Sequence, residues 1–192
     1  MKNVLIIGAN GGIAQIVTDL LLNDKTVNLT LFARKASRLG SRISKCKVIE
    51  GDAFDKEVLK TALKGQDLVY VNLAGDLERM AKNIVTAMQE TGVPKIIAIS
   101  SIGIYDTPLK SVLVPYRKLA DVIEASDLDY TILRPEWFTS ANEVDYETTP
   151  KGTAEKGSVI SRKSLATLIT AIIKSPEQFK NQNLGVNKPN SQ

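Results

Sequence analysis

The sequence feature that most constrains the fold is a short apolar run that breaks into a glycine-rich turn, MKNVLIIGANGGIA at residues 1–14. Residues 4–7 are continuously apolar, which is typical of a parallel strand buried on both faces. After the glycines, apolar residues return at the spacing of one helical face. That face comprises Ile13, Ile16, Val17, Leu20 and Leu21. The segment therefore predicts a strand, a sharp turn and a helix in direct succession.

Small residues in this turn suit the binding of a phosphate group. Gly8 can adopt the tight turn, and Gly11 or Gly12 lets the backbone approach a ligand closely. Ala14 lets the helix pack tightly on the sheet. The unpaired N–H groups and positive dipole end of the helix would then hold a pyrophosphate. The pattern is G-x-x-G-x-x-A, and its place between a strand and a helix favours a dinucleotide site over an ordinary turn of an α/β protein.

The rest of the chain repeats this alternation of strand and helix patterns. Apolar runs predict strands at 29–33, 46–50, 67–72, 95–100 and 129–134. Helical patterns fall near 55–64, 77–91, 115–126 and 162–174. Such alternation predicts one α/β domain over 1–192, a Rossmann fold whose doubly wound, mostly parallel sheet has helices on both faces. The one long irregular stretch, about 135–158, is expected to be a loop region that shapes the substrate pocket.

The amino-acid composition excludes some kinds of catalytic site. A chain of 192 residues that is 43% hydrophobic can bury one sizeable core. The sequence has no histidine and one cysteine, Cys46, which excludes a Ser-His-Asp triad and makes a metal site improbable. Proton transfer must therefore use tyrosine, lysine, a carboxyl group, water or a cofactor. A lone cysteine, with no membrane-length apolar run and no signal pattern, predicts a cytoplasmic protein without a membrane partner.

Basic residues are concentrated in one segment, 34–47, which holds six of the 25 basic residues and none of the 21 acidic ones. Arg34 follows the second predicted strand, about twenty residues after the glycine turn, where an NAD site usually carries an acidic residue. An arginine there favours the 2′-phosphate of NADP, and Lys35, Ser37 and Arg38 can add charge or hydrogen bonds. The alternative is solvated surface charge. Because the segment contains no aromatic residue, we expect no specific nucleic-acid partner.

The order of these motifs resembles an atypical short-chain dehydrogenase/reductase, in the NAD(P)H-binding branch close to NmrA-like and biliverdin-reductase-B-like proteins. The resemblance rests on IIGANGGIA, LFARKASRL, VIEGDAFD, YVNLAG, IIAISSIGIY, LDYTILRPEWF and VISRKSLA. It implies that the glycine turn holds the pyrophosphate, that Arg34 meets the 2′-phosphate, and that NADP(H) is preferred over NAD(H).

The resemblance also implies the remaining site residues. The implied cofactor contacts are Gly8, Asn10, Gly11, Gly12, Ile13, Arg34, Lys35, Arg38, Asp52, Ala53, Leu73, Ala74, Gly75, Ser100 and Pro135. Ser100, Ser101, Tyr116 and the segment around Arg134, Pro135 and Trp137 would surround the nicotinamide, with Trp137 and Phe138 lining the substrate pocket.

One departure from the family pattern concerns catalysis. Main-branch members use Tyr-x-x-x-Lys, but Tyr116 is followed four residues later by Ala120. Lys118 is two residues away and does not share a helix face with the tyrosine. Tyr116 and Ser101 remain the candidate catalytic residues, although Tyr116 lacks its usual activating lysine. The alternatives are that Tyr116 packs at a helix start and that Trp137 belongs to the core.

Two functions remain open. The first is an NADPH-dependent oxidoreductase that transfers hydride to a small electrophilic acceptor, a quinone, flavin or carbonyl compound. An aromatic wall of Tyr116, Trp137 and Phe138 favours it. The second is a non-catalytic NADP(H)-binding redox sensor or regulatory protein of NmrA-like type, which the missing lysine favours. Either protein would be a monomer or small homo-oligomer.

Overall fold

Strands and helices alternate throughout the computed structural model, which describes residues 1–191. The strands are β1 (Lys2–Ile7), β2 (Val27–Ala33), β3 (Lys47–Glu50), β4 (Leu68–Val71), β5 (Lys95–Ile99), β6 (Asp129–Pro135), β7 (Trp137–Thr139), β8 (Glu147–Pro150), β9 (Val159–Ser161) and β10 (Gln182–Asn187). The α-helices are α1 (Gly12–Leu21), α2 (Lys56–Leu63), α3 (Leu77–Thr91), α4 (Val114–Glu124) and α5 (Arg162–Lys174). Short 3-10 segments cover Ala36–Ser44, Ser111–Leu113 and Pro176–Phe179.

Eight strands form one sheet in the order β3-β2-β1-β4-β5-β6-β10-β8, and β7 pairs with β9 separately. All neighbours in the large sheet are parallel except β10 and β8. The chain runs outward from β1 to β3 and then returns to the other side of β1 as β4. This reversal opens a crevice at the carboxyl ends of β1 and β4, where open α/β sheets bind ligands.

Helices cover both faces of the sheet because successive strand side chains point to opposite faces. Val4 and Ile6 of β1 pack into the core formed with α1 and α5. Leu5 and Ile7 pack into the core formed with α2, α3 and α4. All four side chains are fully buried, which explains why the strand is apolar without alternation. The predicted single-domain, doubly wound α/β fold is confirmed.

The structure corrects two expectations about local structure. The stretch 135–158 is not wholly irregular, because β7 and β8 lie within it. On α1, Leu20 is 42% exposed while Ala14 and Val17 are fully buried, so the buried face is rotated relative to the predicted one.

The last parallel strand, β10, has no counterpart among the predicted strands. Its sequence, QNLGVN, has no apolar run. Two of its polar residues are nevertheless buried, because each finds hydrogen-bond partners. Asn183 donates to the Tyr105 hydroxyl at 2.8 Å, and Asn187 donates to the Glu147 carboxylate at 2.9 Å.

Candidate functional site

The glycine turn is built against the end of β4. Gly8 has a φ of +84°, which favours glycine. A β-carbon at Gly8 would lie 2.8 Å from the carbonyl carbon of Asn72 and closer still to its oxygen. A β-carbon at Gly11 would overlap the Asn72 side-chain amide. The close approach of β1 and β4 therefore requires glycine at Gly8, whereas a side chain at Gly11 would displace the Asn72 amide.

The start of α1 is open to an anion. Gly11 caps the helix without a side-chain hydrogen bond, and the first turn carries no acidic residue. A β-carbon at Gly12 would meet no protein atom within 4 Å. The Asn10 side chain donates to the Lys35 carbonyl at 3.0 Å. Its buried oxygen Oδ1 has no donor among the residues that the structure describes. The helix N–H groups are available to a ligand.

Three residues of the basic segment, Arg34, Lys35 and Arg38, line the crevice with exposed side chains. Arg42 instead forms a salt bridge with Asp19, with an Nε to Oδ1 distance of 2.8 Å. Ser37 does not line the crevice. The basic charge on the ligand side is thus concentrated at the end of β2, next to the start of α1.

A cleft of about 1500 Å³ extends from this basic rim across the carboxyl ends of the strands. Apart from Ser37 and Arg134, it brings together the residues predicted to bind cofactor or substrate or to act in catalysis. Those residues are Gly8, Asn10, Gly11, Gly12, Ile13, Arg34, Lys35, Arg38, Asp52, Ala53, Leu73, Ala74, Gly75, Ser100, Ser101, Tyr116, Pro135, Trp137 and Phe138. The cleft is large enough for a dinucleotide and a small second ligand.

The turn after β3 is fixed by short-range and cross-element hydrogen bonds. The Asp52 carboxylate accepts from the Phe54 backbone N–H at 3.0 Å. The Asn83 side chain on α3 donates to the Ala53 carbonyl at 3.2 Å. These bonds leave Asp52 and Ala53 on the cleft wall between the basic rim and Leu73.

At the far end of the cleft, the predicted catalytic residues come together without Lys118. Ser100 is buried and donates to the Tyr116 backbone carbonyl at 3.0 Å, while Ser101 is half-buried. Tyr116 lines the cleft and also packs against the core. Lys118 forms a salt bridge with Glu78 at 2.5 Å. Lys118 therefore does not take the place of the lysine in Tyr-x-x-x-Lys, as the sequence predicts.

Trp137 is 78% exposed at the mouth of the cleft, so the alternative that it belongs to the core is wrong. Phe138 is beside it, 41% exposed, with the Arg162 guanidinium 5.6 Å from the ring centroid. Exposed aromatic side chains next to a polar cleft are available to a planar ligand.

Within the segment predicted to surround the nicotinamide, Pro135 and Trp137 line the cleft but Arg134 does not. The side chain is 1% exposed, and its Nε donates to the Glu155 carboxylate at 2.9 Å. A second guanidinium nitrogen donates to Asn183 of β10. Arginine at the end of β6 thus joins the sheet to the loop that carries Glu155.

Several cleft residues escaped the sequence analysis. They are Asn72 beside the glycine turn and, at the far end, Asp106, Lys110, Glu136, Glu155 and Arg162. Burial raises the pKa of Glu136, and the nearby Glu155 and Asp106 carboxylates raise it further. Asn72, Glu136 and Arg162 lie within motifs quoted above but were given no role there, whereas Asp106, Lys110 and Glu155 belong to none of those motifs. Within residues 1–191, no group of three or more acidic or cysteine side chains is arranged to hold a metal ion. In the same range, no helix is long and apolar enough to cross a membrane.

Residues 8–176 match a family model described as NAD(P)H-binding. The chain belongs to this NAD(P)H-binding family. The predicted resemblance to NAD(P)H-binding short-chain dehydrogenase/reductase proteins is thereby confirmed. The start of the match at Gly8 coincides with the glycine turn described above.

Solved structures of similar proteins match the fold of this chain over nearly its whole length. A Rossmann-fold NAD(P)-binding family protein from Shigella flexneri is 43% identical, with a TM-score of 0.93, covering 100% of this chain and 96% of that one. A short-chain dehydrogenase/reductase from Veillonella parvula, solved in complex with NADP, is 27% identical, with a TM-score of 0.89, covering 99% and 96%.

One characterised reductase is a more distant relative. The (4-alkanoyl-5-oxo-2,5-dihydrofuran-3-yl)methyl phosphate reductase of Streptomyces griseus is 24% identical over 138 residues, or 71% of this chain. The NAD(P)H-binding chain spans about half the length of that curated relative, 48%.

Proposed function

We propose that this protein is an NADPH-dependent oxidoreductase that transfers hydride to a small electrophilic acceptor, a quinone, flavin or carbonyl compound. The observation that carries the proposal is one continuous cleft with two chemically different ends. One end has the open start of α1 and the basic rim, and the other has aromatic and carboxyl side chains. In such a site the bound cofactor supplies the hydride, and the protein supplies binding and orientation.

The nucleotide half of the cofactor fits the basic end. The backbone N–H groups of Gly12 and Ile13 would hold the pyrophosphate at the start of α1, while the Gly11 N–H donates to the Gly8 carbonyl within the turn. Arg34 would bind the 2′-phosphate, with Lys35 and Arg38 adding positive charge. The Asn10 side chain would hold the basic end together, since its amide donates to the Lys35 carbonyl at 3.0 Å.

The remaining cofactor contacts follow the cleft wall. Asp52 and Ala53 would contact the adenine, since their turn is fixed by hydrogen bonds beside the basic rim. Leu73, Ala74 and Gly75 would line the ribose and nicotinamide. Ser100 and Pro135 would complete the nicotinamide pocket, with Ser101, Tyr116, Trp137 and Phe138 next to the acceptor.

The preference for NADP(H) over NAD(H) is supported by the side chains at the end of β2. Arg34, Lys35 and Arg38 are exposed on the cleft, and the basic segment contains no carboxylate to accept the ribose 2′-hydroxyl. The complex of the Veillonella parvula relative with NADP supports the same preference.

Calorimetry with NADPH and NADH on the wild type and Arg34→Ala tests this preference. A hydrogen bond to a charged group contributes about 1.5–3 kcal/mol, so Arg34→Ala should weaken NADPH binding roughly ten- to hundredfold and leave NADH binding nearly unchanged. Lys45→Ala is the matched control, because it removes one exposed charge from the same segment but outside the cleft. Equal affinity of the wild type for NADPH and NADH would contradict the 2′-phosphate assignment.

The reaction itself is tested by NADPH oxidation at saturating enzyme with menadione, FMN and 4-nitrobenzaldehyde. Oxidation above the enzyme-free rate with any of the three supports the reductase. Tight NADPH binding without oxidation would refute it.

An NADP(H)-binding redox sensor or regulatory protein of NmrA-like type is the second candidate. The observation that favours it is the pairing of Lys118 with Glu78, which leaves Tyr116 without the lysine that activates it in catalytic relatives. A sensor would distinguish NADPH from NADP⁺ in affinity, and the calorimetry above measures that difference when both redox forms are titrated.

A further inference from the structure

Three carboxyl side chains from separate segments, Asp106, Glu136 and Glu155, line the acceptor end of the cleft. Hydrogen bonds between elements fix the backbone of one and the side chain of another. The Glu136 backbone N–H donates to the Val186 carbonyl of β10 at 3.0 Å. The Glu155 carboxylate accepts from the Gly103 backbone N–H at 3.2 Å. The positions of these two glutamates are therefore set by the fold.

Glu155 forms an ion pair with a buried arginine. Its Oε1 accepts from the Arg134 guanidinium, which is 1% exposed. A buried guanidinium is stable only with an anionic partner, because desolvation of an unpaired charge is very costly. The remaining surroundings of Arg134 are the Asn183 side chain and the Tyr105 ring, 5.3 Å from the guanidinium carbon. Glu155 thus supplies a fixed negative charge at the acceptor end.

Glu136 has the opposite environment. It is half-buried and lies near the Glu155 and Asp106 carboxylates, so that burial first and these two charges second raise its pKa. The hydrogen bond from the Trp137 backbone N–H acts in the other direction. When two carboxyl groups share one pocket and only one is paired with a cation, the unpaired one keeps its proton to higher pH.

Two cations also line this end of the cleft, Lys110 and Arg162. Lys110 is exposed to solvent, which weakens its effect on a half-buried carboxyl. Arg162 donates to the Thr139 carbonyl at 3.3 Å and to the Ser140 hydroxyl at 3.2 Å. Its hydrogen bonds are therefore directed to the segment after β7.

We infer that Glu136 is the proton donor to the acceptor in the reduction proposed above. This inference rests on the proposed function. It gives the reaction a proton donor other than Tyr116, which lacks its activating lysine. When bound, the reduced cofactor supplies a hydride, whose two electrons form the new bond on the acceptor carbon. The O–H bond of Glu136 breaks, and the proton joins the acceptor oxygen that gains the displaced electron pair. The resulting Glu136 carboxylate takes a proton from solvent at the mouth of the cleft, next to Trp137.

The test is the pH dependence of kcat for 4-nitrobenzaldehyde reduction by the wild type, Glu136→Gln and Glu136→Asp. A general acid must be protonated, so the wild-type kcat should fall as the pH rises above the pKa of Glu136. Glu136→Gln should lower kcat by about a hundredfold or more and abolish this decline, with the affinity for NADPH unchanged. Glu136→Asp keeps an acid and should keep the decline. Asp127→Asn, an exposed carboxyl outside the cleft, is the control and should behave as wild type.

The outcomes separate the inference from the function on which it rests. A Glu136→Gln variant with wild-type kcat and pH profile overturns the inference, while the reductase stands. Loss of NADPH affinity in the same variant also overturns it, because Glu136 then serves the cofactor site. A wild-type protein that binds NADPH and reduces none of 4-nitrobenzaldehyde, menadione and FMN overturns the reductase and the inference together.

Discussion

Replacement of Gly8 by alanine is expected to destabilise the fold strongly. Gly8 connects β1 to the turn before α1 with a φ of +84°. An added β-carbon would lie 2.8 Å from the Asn72 carbonyl carbon and 3.1 Å from the Leu73 side chain. The Asn72 backbone cannot move away easily, because its N–H donates to the Ile7 carbonyl at 2.9 Å within the sheet.

Two terms set the size of the effect. A left-handed backbone conformation costs a residue with a β-carbon about 1–2 kcal/mol. A methyl group forced into a packed site costs about 1–3 kcal/mol more. We therefore expect Gly8→Ala to lower the free energy of unfolding by about 2–5 kcal/mol. This loss is a large part of the roughly 5–15 kcal/mol that stabilises a typical domain.

Gly12→Ala is the matched variant at the same turn. Gly12 is the first residue of α1, and its β-carbon would meet no protein atom within 4 Å. Alanine should raise the free energy of unfolding by up to about 1 kcal/mol, because it restricts the unfolded chain. Its methyl group would nevertheless occupy the part of the cleft assigned to the pyrophosphate, so NADPH should bind more weakly.

Urea denaturation and NADPH calorimetry on both variants test this reasoning. Gly8→Ala should be less stable than the wild type, and Gly12→Ala should be as stable or more stable but bind less tightly. A Gly8→Ala protein within about 0.5 kcal/mol of the wild type would refute the packing argument. Wild-type NADPH affinity in Gly12→Ala would refute the pyrophosphate position.

Three further predictions concern catalysis, nucleic acid and pH. Tyr116→Phe should lower kcat with menadione or FMN by less than about tenfold, and Trp137→Ala should raise the KM for the acceptor; a thousandfold fall in kcat for Tyr116→Phe would show that the tyrosine is the main acid. If segment 34–47 serves a cofactor, binding to DNA and RNA measured by fluorescence anisotropy should be weak and decline steeply with salt; sub-micromolar binding to one defined oligonucleotide at physiological salt would contradict this. Hydrogen bonds from Lys118 and, second, from Lys82 lower the pKa of Glu78 from 4.5 to about 2, so its stabilising effect is complete above pH 4.5 and is lost as the pH falls towards 2. Glu78→Gln should therefore lose less stability than the wild type across that range in acid denaturation, and equal losses would contradict it.

Strands β1 to β6 could be predicted because their burial is visible in the local sequence as apolar runs. Residues 4–7 are apolar at every position, since both faces of β1 lie under helices. The glycine requirement at Gly8 is also local in sequence, although the atoms that enforce it belong to the Asn72 backbone.

The position of Arg34 could be predicted because a strand–helix–strand unit has nearly fixed geometry. In parallel pairing β1 lies next to β2, with Ile7 opposite Phe32. The end of β2 therefore lies beside the start of α1, whatever the residues on the helix surface. A residue just after β2 must then line the same cleft as the glycine turn, as Arg34 does.

The acceptor end could not be predicted in the same way, because its geometry depends on contacts between distant residues. Glu155 accepts from Arg134, 21 residues earlier, and from Gly103, 52 residues earlier. Arg134 in turn donates to Asn183 of β10, a strand without an apolar pattern. In the sequence, each of these residues taken alone resembles an ordinary polar residue at the protein surface. Because these residues are buried together, Glu136, a glutamate in a loop, becomes the candidate acid of the cleft. Any change that breaks the ion pair between Glu155 and Arg134 should therefore alter the pKa of Glu136 as well.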